Sequence, residues 1–409
     1  MTYSSTLLRL LDERGHIHQV TDPVALDALA CKEIVTGYVG FDPTAPSLHI
    51  GNLASIMLLK RLQQAGHRPI VIMGGGTAKV GDPSGKDDVR QLLSNEKLKS
   101  NIASIHGSFE KILHFDGSAT GALLIDNDDW LSKLGYIELL RDVGKHFTIN
   151  RMLTFDSVRL RLDREQPLTF LEFNYMILQA YDFLKLARDN GCRLQLGGSD
   201  QWGNIVNGIE LGRRIDGVEL YGVTGPLVTT ADGKKMGKSV SGAVWLNEDQ
   251  LPNFDFWQYW RNTDDRDVGK FLRLFTDVPL DEIIRLESLV GAEINDAKIV
   301  LANEVTRLVR GSEAARAAES TAAQTFSAGG LGEDLPVLMV PSEGIRLAAA
   351  CTEIGFAASN GEAKRKIAEG AVRLDDQPVT DPGHLVEVAS GAQRKVSLGR
   401  KRHAILRSA

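Results

Sequence analysis

The runs Ile34-Val35-Thr36-Gly37-Tyr38-Val39-Gly40, Pro69-Ile70-Val71-Ile72-Met73 and Ala122-Leu123-Leu124-Ile125-Asp126 are short, β-rich and bounded by glycine or charge. Longer helical patterns, at 52–66 and 94–115, lie between them. Parallel strands need a crossover, and a helix is the usual one, so this alternation predicts βαβ units and a parallel sheet. Ligands of such sheets bind beyond the carboxyl ends of the strands. Tyr38, Gly40, Asp42 and His49 fall at or just past the end of the first run, and the segment Gly74 to Lys86 follows the second.

At 409 residues the chain is too long for one ordinary domain. Its 43% apolar and 24% charged residues are those of a soluble globular protein. No apolar run approaches the roughly 20 residues of a membrane span. The start, Met1 to Asp12, has no basic stretch followed by a long apolar one, so no signal peptide is read and a cytoplasmic location is expected. Cys31, Cys192 and Cys351 are scattered without a CxxC pair and read as buried small apolar residues. Residues 341–409 carry 11 Lys and Arg against 8 Asp and Glu, while the first 340 carry 36 against 45. A basic C-terminal end on an acidic body suits a polyanionic partner met at that end.

From about Asp249 the pattern turns helical, through Trp257-Gln258-Tyr259-Trp260 to the alanine-rich stretch Ser312 to Phe326. Ser327-Ala328-Gly329-Gly330-Leu331-Gly332 reads as a linker. Beyond it Ser359-Asn360-Gly361-Glu362 is a capping-box pattern, opening a helix that carries Lys364, Arg365 and Lys366. The expected organisation is a first domain at 1–246, a helical domain at 247–326, a linker at 327–341 and a small module at 342–409.

Two segments carry the chemistry. Ser47-Leu48-His49-Ile50-Gly51-Asn52 places an imidazole and a glycine at a helix start, where free N–H groups and the positive dipole end attract phosphate. Gly233-Lys234-Lys235-Met236-Gly237-Lys238-Ser239 is a glycine-bracketed loop with three lysines and a hydroxyl, and it reads as a mobile cationic flap. Val80 to Asp87 is a poor Walker loop, with Val at its first position and Asp87 in place of the metal-binding hydroxyl. Gly74-Gly75-Gly76 gives no dinucleotide fingerprint and reads, by itself, as a glycine-rich turn. His16, His18, His67, His106, His114 and His146 show no metal-ligand spacing.

HIGN at 49–52 paired with KMGKS at 235–239 resembles the HIGH and KMSKS signatures of class I aminoacyl-tRNA synthetases. Tyr38-Val39-Gly40-Phe41-Asp42-Pro43-Thr44, Gly81-Asp82-Pro83-Ser84-Gly85-Lys86, Tyr175 to Asp182 and Gly197 to Asn204 narrow the resemblance to the bacterial tyrosyl-tRNA synthetase family, over nearly the whole chain. It departs at Asn52, for the second histidine, and at Gly237, for the first serine, which is expected to loosen the flap.

The resemblance implies an α/β fold: a Rossmann-like parallel-sheet catalytic domain with the flap at 233–240, then an α-helical domain on the anticodon side, then a small α+β RNA-binding domain. It implies tyrosine contacts from Tyr38, Asp82, Tyr175, Gln179, Asp182 and Gln201, of which Tyr175, Gln179 and Asp182 recur at i, i+4 and i+7 on one helix face. ATP contacts are implied for Gly40, Asp42, His49, Gly51, Gly198, Asp200, Lys235 and Lys238, with catalytic roles for Thr44, His49, Asn52, Lys235, Lys238 and Ser239. Lys86 and Arg90 are lesser candidates. RNA contacts are implied for Lys364, Arg365, Lys366 and Arg373. ATP is then a substrate that brings Mg2+ with it, without a tightly bound metal or organic cofactor. The implied partners are L-tyrosine, tRNA(Tyr) and a second copy, which meets the region around 130–165, and no membrane. A tryptophan-specific relative and a non-catalytic RNA-binding derivative are the rival readings, opposed by Tyr38 with Asp182 and by the presence of His49 and the flap lysines.

Overall fold

The computed structural model describes residues 2–83, 93–233, 236–239, 242–327, 335–389, 391–399 and 402–408. They form two compact units, the first made of Met1–Gly237, Trp245–Asn247 and Asp264–Ile294, the second of Lys238–Val244, Glu248–Thr263 and Asn295–Ala409.

The first unit is built on six strands: β1 (Gln19–Val20), β2 (Thr36–Phe41), β3 (Arg68–Met73), β4 (Leu123–Asp126), β5 (Cys192–Gly198) and β6 (Tyr221–Gly225). Their order across the sheet is β1-β6-β5-β2-β3-β4. All neighbours run parallel except β1, which pairs antiparallel with β6. The chain winds outward from β2 through β3 to β4, then returns to the other side of β2 as β5. β2 and β5 therefore flank the topological switch point, where the crossovers diverge and leave a crevice at the strands' carboxyl ends. β3 is buried along nearly its whole length, as a strand covered on both faces must be. The Ile50–Gln64 helix packs on the sheet through Leu53, Ile56, Met57 and Leu59, all inaccessible to solvent.

The expected helix at 94–115 ends at Glu110, where the chain turns. Between β4 and β5 the chain makes short helical pieces, from Asp128–Leu131 to Phe170–Phe173. A buried ion pair, Arg161 to Glu172 at 3.0 Å, joins the Asp156–Asp163 and Phe170–Phe173 pieces. Residues 264–294 belong to the first unit, where Arg14 and Arg61 from the N-terminal part of the chain take up the carbonyls after the Val268–Phe275 helix. Arg14 donates to Thr276 O and Val278 O at 2.8 and 2.9 Å, and Arg61 to Thr276 O at 2.6 Å and to Asp277. The helical stretch at 247–326 thus divides between the two units.

The second unit contains the Asn253–Arg261, Ile294–Arg310 and Ser312–Ser327 helices and a five-stranded sheet. Arg310 ties the first two helices together through Asn253 Oδ1 and the face of Phe256. The sheet orders Gln377–Pro378, Val372–Leu374, Gln393–Leu398, Arg402–Ser408 and Val337–Val340. Leu347, Ala350, Ile367, Val396 and Leu406 form the core between it and its two helices. Half of the expected capping box forms at the Asn360–Ala368 helix: Ser359 Oγ accepts from Glu362 N, whereas the Glu362 carboxylate accepts from Ala358 N, one residue before the cap. Cys192 and Cys351 are buried as expected, but Cys31 is exposed, on the Pro23–Lys32 helix, which buries only Leu26. Among the described residues no helix is long and apolar enough to cross a membrane.

Candidate active site

The Ile50–Gln64 helix starts at the crevice with a reciprocal cap. Gly51 N donates to His49 Nδ1 at 3.0 Å, and His49 N donates to Asn52 Oδ1 at 3.1 Å. With Nδ1 accepting, a neutral His49 carries its proton on Nε2, so that nitrogen is a donor. Asn52 spends its oxygen on the cap and keeps its amide N–H groups as donors. A side chain on Gly51 would meet His49 Cε1 at 2.8 Å and crowd Met236 O at 3.3 Å, so the absent Cβ permits both the cap and the close pass of the 236–237 backbone. Gly237, at φ +122°, would set a Cβ 3.4 Å from His49 Nδ1.

Across the sheet the Tyr175–Asn190 helix delivers Asp182 into the interior. Its carboxylate accepts from Trp130 Nε1 at 2.7 Å and Asn127 Nδ2 at 2.9 Å. Burial pushes this carboxyl up to about 7, against the pull of those two donors and with a further push from Asp42 and Asp126. Tyr38, on β2, is 1% exposed, and its hydroxyl has no hydrogen-bond partner among the described residues. Burial, then the charge of Asp182, raises that phenol well above its ordinary range. An orphaned buried hydroxyl beside a carboxylate with unused lone pairs is a site waiting for a group that both donates and accepts.

Around this pair runs a polar network. Tyr175 donates from its hydroxyl to Asp42 Oδ2 at 3.1 Å, and Thr77 Oγ1 donates to Asp42 Oδ1 at 2.8 Å. Gln179 Nε2 donates to Gln201 Oε1 at 3.3 Å, and Gln201 Nε2 donates to Asp82 Oδ2 at 2.9 Å. Asn204 Nδ2 donates to both glutamine oxygens at 3.0 and 3.1 Å. Gln195 is buried on β5, and its Oε1 has no partner among the described residues. Gly198 ends β5, and a Cβ there would strike Asp200 Oδ1 at 2.5 Å. Gly40, Thr44 and Asp200 are exposed.

Tyr38, Asp42, Tyr175, Gln179, Asp182, Gln201 and Asp82 are thus linked through hydrogen bonds or charge into two neighbouring sets. Asp82 meets Gln201, whereas Tyr175 reaches Asp42. Lys86, Arg90 and Lys235 lie outside the described residues, as do the side chains of Lys238 and Ser239; the backbone of 238–239 pairs antiparallel with 242–243. In the C-terminal module Lys364, Arg365 and Arg373 are exposed, while Lys366 is paired with Glu362 at 2.7 Å and reaches Phe356 O.

Thr77, Asn127, Trp130 and Gln195 join the site without any motif to mark them, and Asn204 joins it as the last residue of the Gly197–Asn204 segment, with no role assigned from the sequence. The one signal for Asn127 and Trp130 is position, one and four residues past the end of β4. The triple glycine proves to be more than a turn. A Cβ on Gly74 would fall 2.1 Å from Asp42 Oδ1 and one on Gly75 2.3 Å from Asp126 Oδ1, so the loop lies directly against both carboxylates. Gly75 N donates to Asp126, while Gly76 N and Thr77 N donate to Asn127 Oδ1.

Residues 32–327 match the family model of class I tRNA synthetases (W and Y), and residues 345–390 match the S4 domain. The chain is 66% identical to a protein named tyrosine–tRNA ligase from Novosphingobium aromaticivorans, over all of this chain and 99% of that one. It belongs to the tyrosyl-tRNA synthetase family. A like-named protein of Zymomonas mobilis is 56% identical over 99% of each chain. Among solved structures, a C-terminally truncated mitochondrial tyrosyl-tRNA synthetase of Aspergillus nidulans superposes with a TM-score of 0.71 at 31% identity, covering 78% of this chain and 94% of that one. The α/β fold expected from the resemblance, with its parallel sheet, helical regions and C-terminal RNA-binding domain, is the fold of this family.

Proposed function

We propose that the chain is a tyrosine–tRNA ligase, which joins L-tyrosine to ATP as tyrosyl-adenylate and then passes the tyrosyl group to the 3′ end of tRNA(Tyr). The observation that carries this reading is the pair formed by the orphaned Tyr38 hydroxyl and the buried Asp182 carboxylate. A phenol hydroxyl donates to the carboxylate and accepts from Tyr38. Phenylalanine leaves the Tyr38 hydroxyl without a partner and the Asp182 carboxylate with only Asn127 and Trp130, and a site built to bond a substrate hydroxyl rejects the analogue that lacks it by large factors; the handling of phenylalanine by this enzyme class is the standard example.

Tyr175, Gln179, Gln201 and Asp82 surround the amino acid's polar end, with the Asp82 carboxylate suited to its ammonium and the glutamine amides to its carboxylate, while Asp42, assigned to the nucleotide, accepts from Tyr175. In the first step a tyrosine carboxylate oxygen forms a bond to the α-phosphorus of ATP, and the bond to the bridging oxygen breaks, so pyrophosphate leaves. Charge spreads over the phosphoryl oxygens in that step. His49 Nε2–H, the start of the Ile50–Gln64 helix, Thr44, Asn52, Lys235, Lys238 and Ser239 are the groups assigned to hold that charge, and Gly40, Gly51, Gly198 and Asp200 give the nucleotide its room and ribose contacts. ATP enters with Mg2+, bound by phosphates and water. Lys364, Arg365, Lys366 and Arg373 belong to tRNA binding, supported by the S4 match. A homodimer in the cytoplasm completes the reading, supported by the exposed apolar side chains of Tyr136, Ile137, Ile149, Leu162 and Phe170 in the segment between β4 and β5.

The test is amino-acid-dependent exchange of labelled pyrophosphate into ATP, with tyrosine, phenylalanine and tryptophan in parallel and Lys238→Ala as control. Exchange with tyrosine alone, lost in the control, is expected. Folded protein that exchanges with none of the three would overturn the reading, and exchange with tryptophan would move it to the sister specificity.

A further inference from the structure

Three consecutive residues after the lysine-bearing loop form a strap over the turn that carries His49. Trp245 makes an isolated antiparallel bridge with His49, and Leu246 N donates to Leu48 O at 2.7 Å. Asn247 N donates to Ser47 Oγ at 3.0 Å, and that hydroxyl donates in turn to Leu48 O. The Asn247 side chain works at both ends of its amide. Nδ2 donates to Ser104 O at 3.0 Å, with longer contacts to Pro46 O and Ser104 Oγ, and Oδ1 accepts from Ser108 Oγ at 2.8 Å. Ser104 and Ser108 lie one turn apart on the Asn95–Glu110 helix, so one planar amide clamps the strap and the Pro46–His49 turn to that helix.

The other root of the loop is fastened near the same place. Met236 N donates to Val228 O at 2.9 Å, and Met236 O passes close to Gly51. Further back, Lys270 Nζ donates to Thr229 O and Ala231 N to Asp267 Oδ2. Both roots of the lysine-bearing loop are therefore referenced to one helix start, one through Gly51 and the other through Asn247.

We infer that Asn247 is a positioning residue for adenylate formation, holding the His49 turn and the C-terminal root of the lysine-bearing loop in one register. This rests on the ligase reading above. The bonds of Asn247 fasten the backbone that carries His49, whereas tyrosine selection belongs to Tyr38 and Asp182 on β2 and the Tyr175–Asn190 helix. Loss of the clamp therefore displaces the phosphate-facing groups and leaves the phenol pocket in place. A displacement of about 1 Å at such groups costs on the order of 100-fold in rate. No hydrocarbon side chain can replace the amide, because donor and acceptor are needed on one short planar group.

The experiment is steady-state pyrophosphate exchange and calorimetric tyrosine binding by the full chain, for wild type, Asn247→Ala and Ser108→Ala. Asn247→Ala is expected to lower kcat by about tenfold or more while its tyrosine Kd stays within about twofold. Ser108→Ala, which removes one bond of the clamp, is expected to lower kcat by a smaller factor in the same direction, and it carries the test if the first variant does not fold. Unchanged kcat, or a tyrosine Kd that weakens in step with kcat, would overturn the inference. A wild type that binds no tyrosine and exchanges nothing would instead remove the ligase reading, and this inference with it.

Discussion

The charge of Asp182 is felt at the hydroxyl of Tyr38, and neither group satisfies the other: the phenol has no hydrogen-bond partner among the described residues, while the carboxylate takes its bonds from Asn127 and Trp130. Both are sealed from solvent, Tyr38 against Phe183 in an edge-on contact with ring centroids 5.3 Å apart. The protein therefore holds an unmet hydrogen-bonding demand in its core, which a bound phenol would relieve.

Removing the orphan separates stability from recognition. Tyr38→Phe deletes a buried hydroxyl that bonds to nothing, so the unliganded variant is expected to unfold at the same temperature as wild type or slightly higher. Its tyrosine KM is expected to rise about 3–10-fold, the worth of one neutral hydrogen bond, with no exchange gained on phenylalanine. Thermal unfolding and exchange kinetics on one preparation decide it. A destabilised variant would mean that the hydroxyl has a partner in the free protein.

Asp182 gives the free protein a pH dependence of known sign. Its carboxyl sits at about 7 when folded, above the ordinary 3.8. Between those values the folded protein keeps a proton that the unfolded chain has released, so stability falls as pH rises through that window and levels off above about 7. The upper bound is about 4 kcal/mol, taken from about 1.4 kcal/mol per unit. The unfolding midpoint of wild type minus that of Asp182→Asn is expected to fall from pH 4 to pH 7. A flat difference would place the carboxyl in its normal range.

The shared face of Tyr175, Gln179 and Asp182 is legible in the sequence because one helix fixes their relation, though only the family resemblance implies that they touch tyrosine, and the strands β2, β3 and β4 are legible from their apolar runs. The partners of Asp182 are not. Asn127 and Trp130 come from the end of another strand more than 50 residues away, and nothing local says that β4 lies near that helix. The triple glycine misleads for the opposite reason: its local meaning is a turn, and only the carboxylates of Asp42 and Asp126, brought in by β2 and β4, reveal that the backbone must pass directly against them. The edge strand β1 is unreadable at two residues, since it is defined by its pairing with β6 rather than by any pattern of its own.

Gly237 departs from the family signature, and its backbone gives the physical reason to keep it. At φ +122° an L side chain is strained, and a Cβ would stand 3.4 Å from His49 Nδ1. Gly237→Ser, which restores the signature, is therefore expected to lower exchange activity by about 5–30-fold, as about 1–2 kcal/mol of strain would. Loosening of the loop, the expectation from sequence, predicts the reverse, so a gain in kcat for the serine variant would reject the conformational account.

The C-terminal helix separates basic residues by what they already hold. Lys364 and Arg365 are exposed on the Asn360–Ala368 helix, while Lys366 is engaged by Glu362 and by Phe356 O, which anchors the helix to the loop before it. Binding to phosphate should come from the first two. The double variant Lys364→Ala, Arg365→Ala is expected to weaken tRNA binding at every salt concentration and to reduce the slope of log K against log salt by about 1–2, one counterion for each phosphate no longer neutralised. Tyrosine-dependent pyrophosphate exchange needs no tRNA and is expected to stay at the wild-type level. Lys366→Ala should instead lower the module's unfolding temperature, with little change in the salt slope. Filter binding over a salt series, beside exchange and thermal unfolding, distinguishes these outcomes, and an unchanged slope in the double variant would move the tRNA-binding surface to another face of the module.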